Sequence, residues 1–134
     1  MKYGGLIVEK KEYEIVKKII LKNLNEGDPI QKTAIIKLLS ELKEAKLMNS
    51  ADIPSDIIRL HSIVTFVIGD LFEKKFKIVS PDQSDISENR LSILSPMGLA
   101  LFGYSKDDVV EWQFPSGPSN IRIIEVEQDI NVNN

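Results

Sequence analysis

The chain has no cysteine and a single histidine, His61, in 134 residues. The first absence removes disulfides, thiolate metal sites and cysteine nucleophiles together. The lone histidine has no carboxylate or hydroxyl set beside it by any sequence logic. Its alternating neighbours Ile63, Thr65 and Val67 predict a half-buried structural role rather than a catalytic base. No apolar run approaches the roughly 18 residues that a membrane-spanning helix needs. The opening MKYGGLIVEKKEYE carries an apolar patch too short for a secretory signal and no small-residue cleavage site, so a cytoplasmic protein is expected.

What is present is ordinary for a soluble domain: 43% apolar and 28% charged residues, in a chain long enough to bury a core. The net charge of −3 conceals an asymmetry, since residues 1–50 hold ten Lys/Arg against seven Asp/Glu and residues 51–134 hold seven against thirteen. An acidic main body lacks the wide phosphate-contacting surface of a dedicated nucleic-acid binder. The mildly basic first third reads as solvated helix faces.

Two amphipathic segments come first. In KKEYEIVKKIILKNL, Tyr13, Val16, Ile20 and Leu24 fall at helical spacing, with Ile15 and Ile19 beside them. Asp28 before Pro29 marks a helix start: the carboxylate accepts from free N–H groups, and proline at the first position has no N–H to lose. Gln31 completes a variant capping box. Ile35, Leu38, Leu39 and Leu42 then share a face, with Ala45 extending a helix that fades near Met48. Joined by a short turn, the pair should fold back as an antiparallel hairpin of about 20–27 Å.

Residues 49–58, punctuated by Pro54, read as a linker, after which the period changes to two. HSIVTFVI and LFEKKFKIV are strand-like runs joined at Gly69-Asp70, a hairpin signal of the glycine-first kind. Val64, Phe66 and Ile68 would share a face with Phe72, Phe76 and Ile78. After a polar loop at 80–89, Leu91–Leu94, Val109–Phe114 and Ile121–Val126 bring the strands to five, the last two joined by PSGPS. Ser95 and Pro96 cap and start a helix of about two turns that Gly103 ends. Met97, Ala100, Leu101 and Tyr104 line its inner face, and Val110, Trp112 and Phe114 return as an alternating strand. The expected architecture is α+β: a helical hairpin over 1–48, a linker over 49–58, an antiparallel sheet domain with one short helix over 59–128, and a frayed tail over 129–134.

The order SILSPMGLALFGY, DDVVEW, PSG and IRIIEVE resembles the C-terminal domain shared by the bacterial Gre transcript-cleavage factors and the regulator of nucleoside diphosphate kinase. The resemblance covers residues 48–127. It implies an FKBP-like fold that docks on RNA polymerase near the secondary channel, behind an N-terminal helical hairpin. DIPSDIIRLHSIVTF, ELKEAKL and the short hairpin look more like the nucleoside-diphosphate-kinase regulator than the Gre factors proper. One departure stands out: Asp107-Asp108 replaces the Gly-Asp usual before the V-x-W strand. Aspartate tolerates the left-handed conformation, at some cost relative to glycine.

By the same resemblance, acidic residues at the hairpin tip would help hold a catalytic Mg²⁺ in the polymerase. Glu26 and Asp28 occupy the tip here, but Asp28 is explained as an N-cap, Glu26 as a solvated turn residue, and the hairpin is short. Asp82/Asp85 and Asp107-Asp108 are loop acids whose side chains diverge and make poor metal cages. No catalytic residue, metal or cofactor is therefore expected. Ile93, Ser95, Pro96 and Met97 fall where the resemblance places the polymerase contact, while capping alone also accounts for Ser95 and Pro96. The expected function is a non-enzymatic transcription modulator that binds RNA polymerase and tunes or competes with Gre-type factors without transcript cleavage. No direct sequence-specific nucleic-acid binding and no membrane partner are expected. The alternatives are an FKBP-like peptide-binding or prolyl-isomerase domain, for which Trp112 would be the stacking residue, and a weak homodimer formed through the hairpin.

Overall fold

A computed structural model describes residues 2–69, 72–114 and 117–129. Asp70 of the expected hairpin turn, Pro115 and Ser116 of the PSGPS connection, the side chains of Phe72 and Phe114, and residues 130–134 of the expected tail lie outside that description.

A short strand β1 (Ile7–Glu9) runs directly into helix α1 (Lys10–Lys22), with the Glu9 carboxylate accepting from the Lys11 N–H as N-cap. Helix α2 (Pro29–Lys43) starts as its sequence dictates: Asp28 Oδ1 accepts from the Gln31 N–H at 2.8 Å and Pro29 holds the first position. The Gln31 side chain does not return to the cap. It donates instead to the Leu94 carbonyl at 2.7 Å, across 63 residues of sequence. The helix also ends earlier than its apolar pattern suggests. Residues Lys46–Met48 are drawn out as strand β2, which pairs in parallel with β1, and the Lys46 N–H donates to Leu6 O at 2.9 Å. Inter-strand bonds to β1 replace the helical bonds these residues would have made.

The main sheet contains β3 (Ile63–Ile68), β4 (Phe72–Val79), β5 (Arg90–Ser92), β6 (Val109–Phe114) and β7 (Gly117–Glu127), in the order β5-β4-β3-β7-β6. All five expected strands form. The pairings β3–β4, β3–β7 and β6–β7 are antiparallel, whereas β4 and β5 are parallel. The reason is the 80–89 connection, which crosses back through two 3₁₀ turns, Pro81–Gln83 and Ile86–Glu88, so β5 enters from the same end as β4. The sheet is mixed where alternation alone suggested an antiparallel one. Helix α3 (Pro96–Leu101) follows β5.

One core serves sheet and hairpin together. Val16 and Ile20 of α1, and Ile35, Leu38 and Leu42 of α2, are buried among Val64, Phe66, Ile78, Ile121 and Leu101. Ile57 and Ile58 are also buried, held by Ile58 N–H to Tyr104 O at 2.8 Å and Gly103 N–H to Ile58 O at 3.0 Å. Across this seam Glu12 of α1 makes three bonds. Its Oε2 accepts from both Nε and an Nη of Arg59, and its Oε1 accepts from the Leu60 N–H at 3.0 Å. Removing one partner of a buried pair strands the other. Glu12→Ala is expected to cost about 3 kcal/mol and to lower the melting temperature by about 10 °C in a thermal melt, with Glu12→Gln intermediate.

The turn into β6 keeps the conformation that glycine would favour. Asp107 sits at φ 73°, exposed, and its N–H donates to Ile123 O at 2.8 Å. Asp108 is buried, and its carboxylate accepts from Ser105 N–H and Oγ and from the Lys2 N–H. Because Asp107 carries the left-handed cost and its side chain is exposed, Asp107→Gly is expected to stabilise the fold by about 0.5–1 kcal/mol. Calorimetry should show a melting temperature about 2–4 °C higher.

Candidate docking site

The segment from Ser92 to Leu99 forms a corner built from capping bonds. Ser92 Oγ accepts from the Leu94 N–H at 3.0 Å, and Ser92 O accepts from both the N–H and the Oγ of Ser95 at 3.0 and 2.7 Å. Ser95 Oγ then accepts from the Gly98 N–H at 3.1 Å, the N-cap bond of α3, while Pro96 occupies the first helical position. Gly98 permits this closure. A Cβ there would stand 2.3 Å from Ser92 O and 3.0 Å from Ile93 Cα, which is inside van der Waals contact with backbone.

The expected site residues separate into two layers. Ser95, Pro96 and Met97 are half-buried and present part of their surface to solvent. Ile93 is fully buried, its N–H donating to Val79 O at 2.8 Å, so it supports the corner from beneath. The half-buried apolar residue at the surface is its neighbour Leu94. The resemblance pointed to Ile93, and the turn after Ser92 buries that residue and leaves Leu94 partly exposed in its place.

The hairpin tip lies near the same corner. The Gln31 bond to Leu94 O ties the first turn of α2 to it, and α2 continues beside α3 to Glu41, whose carboxylate accepts from the Tyr104 hydroxyl at 2.6 Å. Burial, and next the bond to Glu41, push the Tyr104 phenol above its ordinary range. Glu26 and Asp28 are both exposed, and the Asp28 carboxylate is engaged by its capping bond.

The remaining candidates scatter. His61 stands in a turn at φ 73°, half-buried, its Nε2 3.3 Å from Gln83 Oε1, in a small pocket with Lys77, Val79 and Arg90. Trp112 is half-buried and lines an open groove of 440 Å³ with Pro29, Ile30, Thr33 and Lys37. Phe66, Phe102 and Tyr104 are buried in the core, so they do not line that groove. Asp56 receives bonds from Lys2 Nζ and Tyr3 Oη. Partial burial opposes its ionisation, and those two donors outweigh it, holding the carboxyl below its usual range. Among the described residues no cluster of three or more His, Asp or Glu is disposed to hold a metal, and no helix is long and apolar enough to cross a membrane.

Residues 53–128 match the family model described as transcription elongation factor, GreA/GreB, C-terminal. The chain belongs to the GreA/GreB C-terminal-domain family. Transcription elongation factor GreA of Azorhizobium caulinodans is 32% identical over 123 residues, an alignment that spans 91% of this chain and 73% of that protein. GreA of Clostridium kluyveri is 34% identical over 95 residues, spanning 70% of this chain and 60% of its own length. Among solved structures, the prokaryotic transcription elongation factor GreA/GreB from Nitrosomonas europaea superposes with a TM-score of 0.70 at 27% identity, covering 92% of this chain and 98% of that one. In this GreA/GreB-type domain the corner lies inside the matched segment, while α1 and α2 precede it.

Gly98→Ala tests whether the close approach at the corner is obligatory. It is expected to cost at least about 2 kcal/mol by forcing Ser92 O away, whereas Gly5→Ala, with nothing within 4 Å of its built Cβ, should change stability by less than about 0.5 kcal/mol. Urea titrations of the two variants make the comparison.

Proposed function

We propose that this chain is a non-enzymatic transcription modulator that docks on RNA polymerase through the Ser92–Met97 corner, near the secondary channel. There it tunes elongation or competes with Gre-type factors without stimulating transcript cleavage. The observation that carries the proposal is the corner itself. Leu94, Ser95, Pro96 and Met97 offer a small, partly exposed apolar surface whose backbone is fixed by capping bonds and by Gln31. A surface ordered before binding loses little conformational freedom on docking. Met97 adds a side chain that adapts to an opposing surface.

Two features support tuning over cleavage. The Asp28 carboxylate already serves the first turn of α2, and helices of 13 and 15 residues reach only about 20 and 23 Å. Both helices also bury their apolar stripes in the sheet's own core, so they lie along the domain. A prolyl-isomerase pocket lined by several aromatics finds less support, because among the described residues the groove beside Trp112 carries only that one ring. The nucleoside-diphosphate-kinase-regulator type of hairpin fits the same reading.

Pro96→Glu places a carboxylate at the first position of α3, where the helix dipole favours negative charge, so folding should be retained. The expected result is loss of co-purification with RNA polymerase at an unchanged circular dichroism spectrum. Undiminished recovery of polymerase with the folded variant would overturn the docking assignment. Adding the wild-type chain to stalled elongation complexes should leave transcript length unchanged, and shortening would overturn the second half of the proposal.

A further inference from the structure

The hairpin carries a second surface, distinct in residues and chemistry from the corner. Its outer side holds a groove of 410 Å³ between α1 and α2, lined by Tyr13, Leu21, Ile36 and Leu39 and flanked by Lys17 and Lys43. Leu21 is 47% and Ile36 54% exposed. The two helices hold eight lysines, all exposed, and among the described residues none of them forms an ion pair. Of their three acids, Glu12 is taken by Arg59 and Glu41 accepts from Tyr104, which leaves Glu14 as the one turned wholly outward. Glu26, Asp28 and Glu44 are exposed on the hairpin as well, so its surface carries an excess of lysine over acid, and two of those lysines, Lys17 and Lys43, sit at the rim of the apolar trough, on a chain whose net charge is −3.

We infer that this groove seats an acidic amphipathic helix of another protein. A trough between two helices accepts the apolar ridge of a third at i, i+3, i+4 and i+7 spacing, and glutamates flanking that ridge would meet Lys17 and Lys43. A second copy of the same hairpin would bring lysine against lysine across the trough, so charge disfavours self-association there. A nucleic-acid backbone would neutralise the lysines and leave Leu21 and Ile36 in water. The surface is independent of the corner, and Pro96→Glu leaves it untouched.

The test uses the full chain and a fluorescein-labelled synthetic peptide of about 14 residues, leucines at helical spacing with glutamates on both flanks, followed by anisotropy. The control peptide has lysines in place of the glutamates. The acidic peptide should bind and the basic one should not. The Lys17→Glu/Lys43→Glu double variant, its melting temperature checked against wild type, should bind the acidic peptide about tenfold more weakly and reverse the preference. Leu21→Ser should weaken binding without reversing it. Equal binding of the two peptides, or none, would overturn the inference. So would a polyuridine oligonucleotide that binds in place of the acidic peptide and is lost in the double variant. Sedimentation showing a dimer that occludes the groove would also refute it.

Discussion

The carboxylate of Glu12 joins what would otherwise be two separate pieces of chain. It reaches from the first turn of α1 to the side chain of Arg59 and the backbone of Leu60, just before the chain enters β3. A carboxylate that takes two donors from one guanidinium and a third from the backbone has fixed geometry as well as charge. It sets where α1 lies along the sheet, and that placement lets Val16 and Ile20 enter the same core as Phe66 and Leu101. Each such aliphatic side chain is worth about 1.5–3 kcal/mol when withdrawn from water. The ion pair supplies the register, and apolar burial supplies most of the free energy that keeps it.

The corner inherits its stiffness from this arrangement. With α1 and α2 fixed on the sheet, Gln31 comes within reach of Leu94 O and Glu41 within reach of Tyr104. The corner is therefore braced from within by its serine caps and from outside by α2. Hairpin and corner are bonded directly to one another, so the position of one constrains the position of the other. This differs from a lever on a flexible linker, and residues 57–58 explain why: they are buried and hydrogen-bonded to the 103–104 turn.

What the sequence made legible was whatever is decided within about four residues. Asp28-Pro29 and Ser95-Pro96 start their helices as read, because a cap answers to the N–H groups next to it. The alternation of Val64 with Phe66 and the return of Val110 placed the strands for the same local reason. The misses were choices between partners far apart in sequence. Gln31 satisfied a local capping pattern yet bonds Leu94, 63 residues away. Ile7–Glu9 is too short to show any period and is a strand only because Lys46–Met48 lies beside it. The parallel pairing of β4 with β5 is set by how the 80–89 loop crosses. Ile93 and Leu94 look alike in a strand-like run, and only the Ser92 turn puts one in the core and the other at the surface. Asp107 is the opposite case: the expected backbone survived a change of residue, because the Ile123 and Asp108 bonds on either side hold it.

The division of charge follows from the same packing. An acid on a hairpin helix can bond to the sheet domain or stay at the surface and offset a neighbouring lysine. Glu12 and Glu41 do the first: the Glu12 carboxylate is matched by Arg59, whereas Glu41 meets only the neutral Tyr104 hydroxyl. Eight helix lysines against the exposed Glu14, Glu26, Asp28 and Glu44 leave the hairpin's surface with a basic excess, while most of the chain's acid lies beyond residue 50. A corner of neutral, partly apolar residues and a lysine-rimmed trough are chemically dissimilar surfaces on one rigid frame. Under the two proposals such a frame would select partners by two different criteria, shape at the corner and charge at the hairpin.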